Sequence, residues 1–329
     1  MNLVTGATGL IGSHVMLTLL QQNKTVVALK RESSDISKTE KVFSYYDSNY
    51  KELFKKIIWI DGDVNDVVSI EKALDKIETV YHCAGIISFN DKDAEKLFKI
   101  NSEGTANVVN ACLTKGVKAL CHVSSVAAMQ NADIKTEINE TVFWKPGTYQ
   151  SSYAISKYMA EQEVWRGIEE GLNAVIVNPG VVIGAGPWNQ GSGELFPICK
   201  KGFKFYTEGV TGYVGASDVA KIMILLTEEK KFKERFILIE NNYSFKQILD
   251  WIHFGFDKKG PTIKTGKFLL KTALFLNKII PISSKITKAT VIASLTKSYF
   301  SNKKVCDSLN YQFSPIKDCI SLACKAYNS

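Results

Sequence analysis

Short apolar runs alternate with longer helix-like segments through the first half of the chain. The runs show no polar alternation, which is typical of strands that are covered on both faces of a sheet. This pattern predicts strands at residues 2–4, 25–29, 57–60, 80–83, 119–123 and 174–177. It predicts helices at residues 9–22, 67–77, 93–115 and 152–170.

The alternation of strand and helix indicates the fold class. It favours an α/β fold with a doubly wound parallel sheet of the Rossmann type. After Pro179 the pattern loosens into a glycine-rich loop, a helix, a strand and a largely helical remainder, predicted at 180–193, 217–227, 236–239 and 245–329. We therefore predict a Rossmann core from residues 1–180 with 214–240, and a smaller, mostly helical C-terminal substrate lid from 181–213 with 241–329.

The composition is that of an ordinary globular protein, with 45% hydrophobic and 22% charged residues among 329. Because the first predicted strand starts at residue 2, no signal or transit peptide is expected. The longest apolar stretch, 268–282, contains Lys271, Asn277 and Lys278, so a membrane span is not expected. The seven cysteines are scattered without a Cys-x-x-Cys pair, which favours reduced thiols over disulfides or a zinc site. We expect a cytoplasmic protein that holds no metal.

Positive charge is concentrated near the C-terminus. Residues 254–329 contain thirteen Lys, three Asp and no Arg, a net charge of +10 against −2 for the remainder. One explanation is a lysine-rich composition, since Arg occurs only at 31, 166 and 235. The other is a basic face for an anionic partner. The stretch 268–282 fits either a lid helix over the substrate or a helix on an anionic membrane. We favour the compositional explanation and the lid, and expect neither nucleic acid nor membrane as a partner.

Three glycines near the start of the chain point to a cofactor. Gly6, Gly9 and Gly12 follow the first predicted strand and open the first helix. A glycine turn in that place lets backbone N–H groups approach a pyrophosphate. The spacing is one residue longer than the commonest dinucleotide fingerprint, and a plain tight turn is the alternative. The strand-turn-helix context favours a dinucleotide.

Tyr153 and Lys157 form the second informative pattern. Their i, i+4 spacing puts the phenol and the ammonium on one face of a helix. A nearby cation favours the phenolate, so the tyrosine can exchange a proton below its usual pKa of about 10. Together with the glycine turn, this pair indicates hydride transfer with tyrosine as the acid or base.

The order of the motifs carries a family resemblance. After the glycine turn come His82-Cys83-Ala84-Gly85, Asn101 in Asn-x-x-Gly-Thr, Ser124-Ser125, Tyr153-x-x-x-Lys157 and Asn178-Pro179-Gly180. The chain resembles the extended short-chain dehydrogenase/reductases, the NAD-dependent epimerase/dehydratase family, over nearly its whole length. Within them it looks most like the dihydroflavonol-reductase and hydroxysteroid-dehydrogenase branch. Gly212-Tyr213-Val214 before Asp218 also looks like a family motif, but Gly215 stands where an acid is usual.

The resemblance implies roles for four residues. Ser125 would hydrogen-bond the substrate oxygen and Tyr153 would donate the proton. Lys157 would hold the nicotinamide ribose and lower the pKa of the tyrosine. Asn101 would hold a water that links the lysine to solvent. Ser124 is the alternative to Ser125, which we prefer because the family's serine is usually the last of the run.

The end of the second strand bears on the choice of cofactor. Lys30, Arg31 and Ser33 lie where an acid would select NAD, and two cations with a serine suit a 2′-phosphate. Because Glu32 lies beside them, NADP(H) is expected with NAD(H) as the alternative. Asp63 resembles the family residue near the adenine, with a strand-end turn as the alternative. The residues expected to contact the cofactor are Gly6, Thr8, Gly9, Leu10, Ile11, Gly12, Lys30, Arg31, Ser33, Asp63, Val64, Cys83, Ala84, Gly85, Tyr153, Lys157, Pro179 and Gly180.

Three functions are compatible with these motifs. They are an NADPH-dependent carbonyl reductase for an apolar or aromatic small molecule, a nucleotide-sugar epimerase or dehydratase, and an NADPH-sensing regulatory protein. Family dehydratases carry an Asp-Glu pair directly after the active-site hydroxyl, but Val126-Ala127 follows Ser125. Arg binds a sugar diphosphate best and is scarce after residue 150, and a sensor would not need the Ser-Tyr-Lys set. Aromatic residues at 188–206 and 268–280 suit an apolar pocket, so we expect the reductase, as a monomer or homodimer acting on a small-molecule carbonyl.

Overall fold

A seven-stranded parallel sheet forms the centre of the molecule in a computed structural model, which describes residues 1–129, 137–144, 150–266 and 287–329. The strands of the chain are β1 (Asn2–Thr5), β2 (Val26–Lys30), β3 (Ile58–Asp61), β4 (Thr79–His82), β5 (Ala119–Val123), β6 (Ala174–Pro179), β7 (Val181–Ile183), β8 (Phe205–Tyr206), β9 (Val210–Gly215), β10 (Glu234–Leu238), β11 (Asn241–Ser244) and β12 (Ile263–Lys264). The order across the central sheet is β10-β6-β5-β4-β1-β2-β3. The winding direction therefore reverses between β1 and β4, which places a ligand crevice at the carboxyl ends of these two strands.

Helices cover both faces of this sheet. The helices of the described residues, of which some cover this sheet and others pack in a second core, are α1 (Leu10–Gln21), α2 (Ser37–Tyr46), α3 (Tyr50–Lys55), α4 (Val67–Ala73), α5 (Ala94–Leu97), α6 (Gly104–Lys115), α7 (Ser152–Glu169), α8 (Leu195–Lys200), α9 (Ala216–Glu228), α10 (Phe245–Phe254), α11 (Lys288–Leu295), α12 (Lys303–Leu309) and α13 (Ile316–Asn328). Successive strand residues point to opposite faces, so Leu3 packs with α4, α6 and α7 while Val4 packs with α1 and α9. The predicted doubly wound α/β fold is confirmed.

Several local predictions were wrong for identifiable reasons. The helix predicted at 67–77 ends at Ala73, and Lys76 takes a left-handed φ of +58° that stops it from continuing. The helix predicted at 93–115 is divided by a π-helical turn, Phe98–Glu103, between α5 and α6. Helices α2 and α3 were not predicted, because the segment that contains them is largely polar.

A second sheet was also missed. Its order is β11-β9-β7, and β7 lies in the segment that was predicted to be a loop. A second apolar core packs beside this sheet, formed by residues from 183–213 and from 243–327, including Phe196, Ile252 and Ile320. This core supports the two-unit division, which stays a proposal. Helix α12 is an exception, since its Val305 packs in the first core beneath the central sheet.

The lid prediction concerns residues that the structure does not describe. The stretch 268–282, with Lys271 and Lys278, falls within the undescribed range 267–286. In the ranges that are described, no helix combines the length and the apolar character needed to cross a membrane.

Candidate active site

The glycine turn lies at the crevice between β1 and β4. Gly6 has a left-handed φ of +62°, and a Cβ on it would come within 2.6 Å of the backbone of Cys83 and Ala84 after β4. A Cβ on Gly12 would overlap the carbonyl oxygen of Gly6. The turn can therefore close against β4 only when both positions are glycine.

The start of α1 is suited to bind an anion. The N-cap residue Gly9 provides no side-chain cap, and the first turn contains no acidic residue. Gly9 N–H donates to the Gly6 carbonyl at 2.9 Å, which tightens the turn. The N–H groups of the first helical turn, beginning at Leu10 and Ile11, are therefore uncapped, and they carry the positive end of the helix dipole. Thr8 is half-buried in the same turn, and these features fit the pyrophosphate of a dinucleotide.

The segment after β2 forms an open cleft with the segment after β3. The cleft is lined by Arg31, Glu32, Ser33, Asp61, Gly62, Asp63, Asp66 and Ser69. The Lys30 ammonium is paired with the Asp61 carboxylate of the neighbouring strand, whereas Arg31 and Ser33 are exposed. Lys30, one of the two cations expected to bind a 2′-phosphate, is therefore already paired with a carboxylate. Arg31 is the exposed cation among the residues that line the cleft.

Asp63 and Val64 serve the turn that follows β3. The Asp63 carboxylate accepts hydrogen bonds from both the backbone and the side-chain nitrogen of Asn65, at 2.9 and 3.0 Å. Val64 is buried, and its carbonyl accepts a hydrogen bond from Asn107 of α6 at 3.0 Å. The strand-end turn thus accounts for one oxygen of Asp63, and its contact with an adenine stays a prediction.

Asn101 is fully buried in the π-helical turn, a type of irregularity that often marks functional sites. Its Oδ1 accepts from the Ile86 N–H at 2.8 Å, and its Nδ2 donates to the Ile86 carbonyl and to Ser156 Oγ, both at 3.0 Å. The side chain thus ties the loop after Gly85 to α7. The expected water-holding role of Asn101 stays a prediction.

Tyr153 lies in the first turn of α7, and the Ser125 side chain lies close enough to its phenol to act on the pKa of Tyr153. Ser125 Oγ accepts a hydrogen bond from the Ala127 N–H at 3.1 Å, which fixes the serine side chain at the end of β5. Burial raises the pKa of Tyr153, and Ser125 partly opposes this, so the expectation that Lys157 lowers this pKa below its usual value is not met: desolvation of the phenol outweighs it. The phenol therefore keeps its own proton at neutral pH and can donate it.

Lys157 is buried one turn further along α7. Its Nζ donates to the Val123 carbonyl at 2.6 Å, and a Cβ on Gly85 would lie 3.9 Å from it. Burial lowers the pKa of Lys157 to about 8, while the carboxylate of Glu161 acts in the opposite direction. The structure thus brings Ser125, Tyr153 and Lys157 together at the carboxyl end of β5.

Glu161 is a buried residue that the sequence interpretation missed. Its carboxylate accepts hydrogen bonds from Ser124 and Asn178, both at 2.8 Å, and pairs with Arg235 at 3.0 Å. The hydroxyl of Ser124, the alternative to Ser125, is therefore already hydrogen-bonded to this carboxylate. The available signal was spacing, because Glu161 lies four residues after Lys157, as Lys157 lies four after Tyr153.

Pro179 and Gly180 end β6 beside the site. The Gly180 N–H donates to the Leu238 carbonyl at 3.0 Å, and a Cβ on Gly180 would overlap the Gly212 carbonyl oxygen. The glycine is therefore required for the close approach of the strand to β9. Contact of these two residues with the cofactor stays a prediction.

An apolar wall rises next to the phenol. The ring of Phe89 meets that of Tyr153 edge to face with centroids 5.7 Å apart, and Phe89 and Ile87 are 37% and 59% exposed. By contrast, Trp188 and Phe196 pack against each other in the second core, and Phe196 is fully buried. The aromatic ring next to the phenol therefore comes from the loop after β4, and the prediction of a pocket at 188–206 does not hold for the fully buried Phe196 but stays a prediction for the half-buried Trp188.

Within the described ranges, no group of three or more His, Cys, Asp or Glu side chains is arranged to hold a metal ion. His82 and His122 are fully buried, with ring centroids 5.2 Å apart. His82 bonds to Thr5 and Thr105 at 2.7 and 3.0 Å, so its nitrogens serve packing within the core.

Comparison with known proteins connects this site to characterised sequences. Residues 2–237 match the family model described as "NAD dependent epimerase/dehydratase family". The chain is 28% identical to "Sterol demethylase protein B" of Methylococcus capsulatus, over 76% of this chain and 73% of that protein. It is 28% identical to the "Putative dihydroflavonol 4-reductase" of Synechocystis, over 75% and 69%. It is 27% identical to "Cinnamoyl-CoA reductase 1" of Petunia hybrida, over 96% and 89%.

Solved structures share the whole fold. The crystal structure of gox2253 superposes with a TM-score of 0.83 at 29% identity, covering 100% of this chain and 98% of that one. UDP-glucose 4-epimerase of Thermotoga maritima with UDP-glucose superposes with a TM-score of 0.78 at 19% identity, covering 100% and 99%. The second likeness is one of fold alone.

The glycine turn generates a first prediction. Gly12→Ala should weaken the binding of NADPH and NADH about tenfold or more, because the added Cβ must displace the Gly6 carbonyl and open the turn. Gly266→Ala is the control, since its Cβ would meet no atom within 4 Å. Fluorescence titration measures both affinities. Unchanged affinity in a folded Gly12→Ala protein would show that the turn is not a dinucleotide cradle.

Proposed function

The chain belongs to the NAD dependent epimerase/dehydratase family and is therefore an NAD(P)-dependent oxidoreductase, and we propose that it is an NADPH-dependent carbonyl reductase. Its substrate is a ketone or aldehyde of an apolar or aromatic small molecule. The observation that carries the proposal is the proximity of the Ser125 and Tyr153 side chains to the buried ammonium of Lys157, which donates to the Val123 carbonyl at the end of β5. This arrangement can bind a carbonyl oxygen and protonate it in one place.

Each of the three side chains has a defined task. When bound, the nicotinamide dinucleotide supplies the hydride. Ser125 and Tyr153 bind the carbonyl oxygen, and Tyr153 donates its proton as negative charge grows there. Lys157 holds the ribose and supplies the positive charge that stabilises the tyrosine after it has lost the proton. General acid catalysis of this kind contributes about 10²- to 10⁴-fold.

The choice of NADPH rests on Arg31. It is exposed at the cleft after β2, where Ser33 is also exposed and Lys30 is paired with Asp61. A guanidinium can bind a 2′-phosphate through two parallel hydrogen bonds. The residues that would hold the rest of the cofactor are those of the glycine turn, Gly85 and Lys157.

An apolar carbonyl substrate is supported by the wall of the site and by the relatives. Phe89 presents exposed apolar surface next to the phenol, and Ile87, two residues before it, is also exposed. The relatives from Synechocystis and Petunia are named as reductases of dihydroflavonol and cinnamoyl-CoA. These names favour carbonyl reduction and leave the particular substrate open.

Epimerisation of a nucleotide sugar is the alternative, and the arginines argue against it. After residue 150 the sequence contains only Arg166 and Arg235. Arg166 pairs with Glu163 and Glu170 on the outer surface of α7. The Arg235 guanidinium donates hydrogen bonds to the Glu161 carboxylate and to backbone carbonyls. Neither guanidinium is placed to bind a diphosphate. A purely NADPH-sensing protein would not need the assembled Ser125, Tyr153 and Lys157.

Location and assembly are further parts of the proposal. All seven cysteines are free thiols, which fits a reducing, cytoplasmic location. We propose a monomer or homodimer with a small-molecule partner. The division into a Rossmann core and a C-terminal substrate unit is supported by the second core, in which Phe196 packs with Ile252 and Ile320.

The proton donor generates the second prediction. Tyr153→Phe should abolish the reduction of aromatic aldehydes while NADPH affinity is retained, because the ring still packs but the proton is lost. Lys157→Met should damage both, since the ammonium serves ribose and phenol. Oxidation of NADPH, followed at its absorbance, measures turnover. Near wild-type turnover in Tyr153→Phe would contradict the assignment.

Arg31 generates the third prediction. Arg31→Ala should weaken NADPH binding about tenfold or more and leave NADH binding nearly unchanged, because only the 2′-phosphate loses a partner. Affinities are measured by fluorescence titration, with Arg166→Ala as the matched control on the outer face. Equal losses for NADPH and NADH would place Arg31 away from the phosphate.

The apolar wall generates the fourth prediction. Phe89→Ala should raise the KM of a bulky aromatic carbonyl about tenfold and change that of a small aliphatic aldehyde little, because burial of an aromatic ring contributes a few kcal/mol at most. Phe254→Ala, which removes an 81% exposed ring at the end of α10, is the control. An equal effect on both substrates would mean that Phe89 acts on Tyr153 and not on the substrate.

A further inference from the structure

The carboxylate of Glu161 is buried directly behind the catalytic side chains, with the residue only 1% exposed. Burying a charge costs several kcal/mol unless it is paired and hydrogen-bonded. Here Ser124 and Asn178 donate to one oxygen at 2.8 Å each, while Arg235 and Trp165 donate to the other at 3.0 and 3.4 Å. A set of donors this complete indicates a specific role for the charge.

These donors connect the carboxylate to the residues on either side of Ser125. Ser124 is its immediate neighbour in the chain, and Asn178 Nδ2 also donates to the Ser125 carbonyl at 3.1 Å. Glu161 itself lies on α7, the helix that carries Tyr153 and Lys157. The carboxylate therefore links the strand side of the site to its helix side.

Arg235 extends the connection to the segment 137–144. Its Nε and Nη2 donate to the Glu140 carbonyl at 3.0 and 2.8 Å, and Nη2 donates to the Val142 carbonyl at 2.6 Å. The Glu140 carboxylate accepts from the Ile237 N–H of β10 at 2.9 Å. The guanidinium thus balances the buried carboxylate and positions the chain that precedes Tyr153.

We propose that Glu161 is a positioning residue, which fixes Ser125 against α7 and provides the negative charge that Lys157 faces inside the protein. This inference rests on the proposed carbonyl reduction. Glu161 touches neither substrate nor cofactor. Its hydrogen bonds to Ser124 and Asn178 position Ser125. Its negative charge acts electrostatically on the Lys157 ammonium.

The charge environment of Lys157 makes the role testable by pH. The titratable groups that act on it are Glu161 from α7, His82 and Cys83 at the end of β4, and His122 from β5, and Tyr153 lies one turn earlier on α7. Burial lowers the pKa of His82 to about 3 and that of His122 well below its usual range. It raises the pKa of Cys83 to about 12 and also raises that of Tyr153.

Burial thus disfavours the charged form of the two histidines, the thiol and the phenol, whereas the Glu161 carboxylate is paired with the Arg235 guanidinium. Burial lowers the pKa of Lys157 to about 8, and the carboxylate opposes this change. The ammonium is present below its pKa and is lost as pH rises through it. Removing the carboxylate lowers this pKa further, so the decline of activity moves to lower pH.

The experiment compares Glu161→Gln with Glu163→Gln, the matched control on the same helix, where Glu163 forms an exposed pair with Arg166. We measure kcat/KM against pH for NADPH-dependent reduction of aromatic aldehydes, and the Kd of NADPH against pH. Glu161→Gln should shift the alkaline decline of both downward by about one pH unit. Glu163→Gln should reproduce the wild-type curves. The double variant Glu161→Gln with Arg235→Gln removes both charges of the pair and is measured if the single variant does not fold.

The outcomes distinguish a failure of the positioning role of Glu161 from a failure of the proposed carbonyl reduction. A downward shift of the alkaline decline in the Glu161→Gln variant, or in the double variant, supports the positioning role. Arg235→Gln alone should not show this shift, because it leaves the carboxylate in place. A decline at the wild-type pH, whatever the loss of rate, overturns it and leaves only a structural role. If the wild-type protein reduces no carbonyl, the proposed function fails, while the pH dependence of NADPH binding still decides the role of Glu161.

Discussion

The candidate active site is organised around one ion pair, that of the buried Glu161 carboxylate with the half-buried Arg235. A carboxylate that is removed from water must be compensated on each side, and this requirement fixes the relative positions of the elements that provide the donors. Ser124 follows β5, Asn178 lies on β6 and Arg235 lies on β10, while the carboxylate itself belongs to α7. The helix that carries Tyr153 and Lys157 is thereby held to three adjacent strands.

The second constraint is the reversal of winding between β1 and β4. It opens the sheet at the carboxyl ends of these strands, where the glycine turn closes against Cys83 and Ala84. The ends of β4 and β5 lie side by side, so the turn, the loop after Gly85 and Ser125 all face one crevice. The glycine turn and the segment that carries Ser125 are thus brought together by strand order, although they are far apart in the chain.

The sequence predicted the central sheet, the glycine turn and the Tyr153–Lys157 pair because each depends on local pattern, whereas Ser125 was expected only from the family resemblance. It could not show that Lys30 pairs with Asp61, since that contact depends on the register of two neighbouring strands. It missed β7 because a three-residue strand within a glycine-rich segment leaves no periodic signal. The aromatic residues near 188 looked like pocket, and only packing reveals that Trp188 joins a separate core.

The central claim is that this site transfers hydride to a carbonyl, with net consumption of NADPH. It is tested most directly with NADPH that carries deuterium at C4 of the nicotinamide, incubated with the protein and an aromatic ketone or aldehyde. Mass spectrometry of the alcohol product should show one deuterium on the carbon that was the carbonyl carbon, with one NADPH oxidised for each alcohol. Turnover of a nucleotide sugar without net NADPH oxidation, and no deuterium transfer to any carbonyl, would contradict the account.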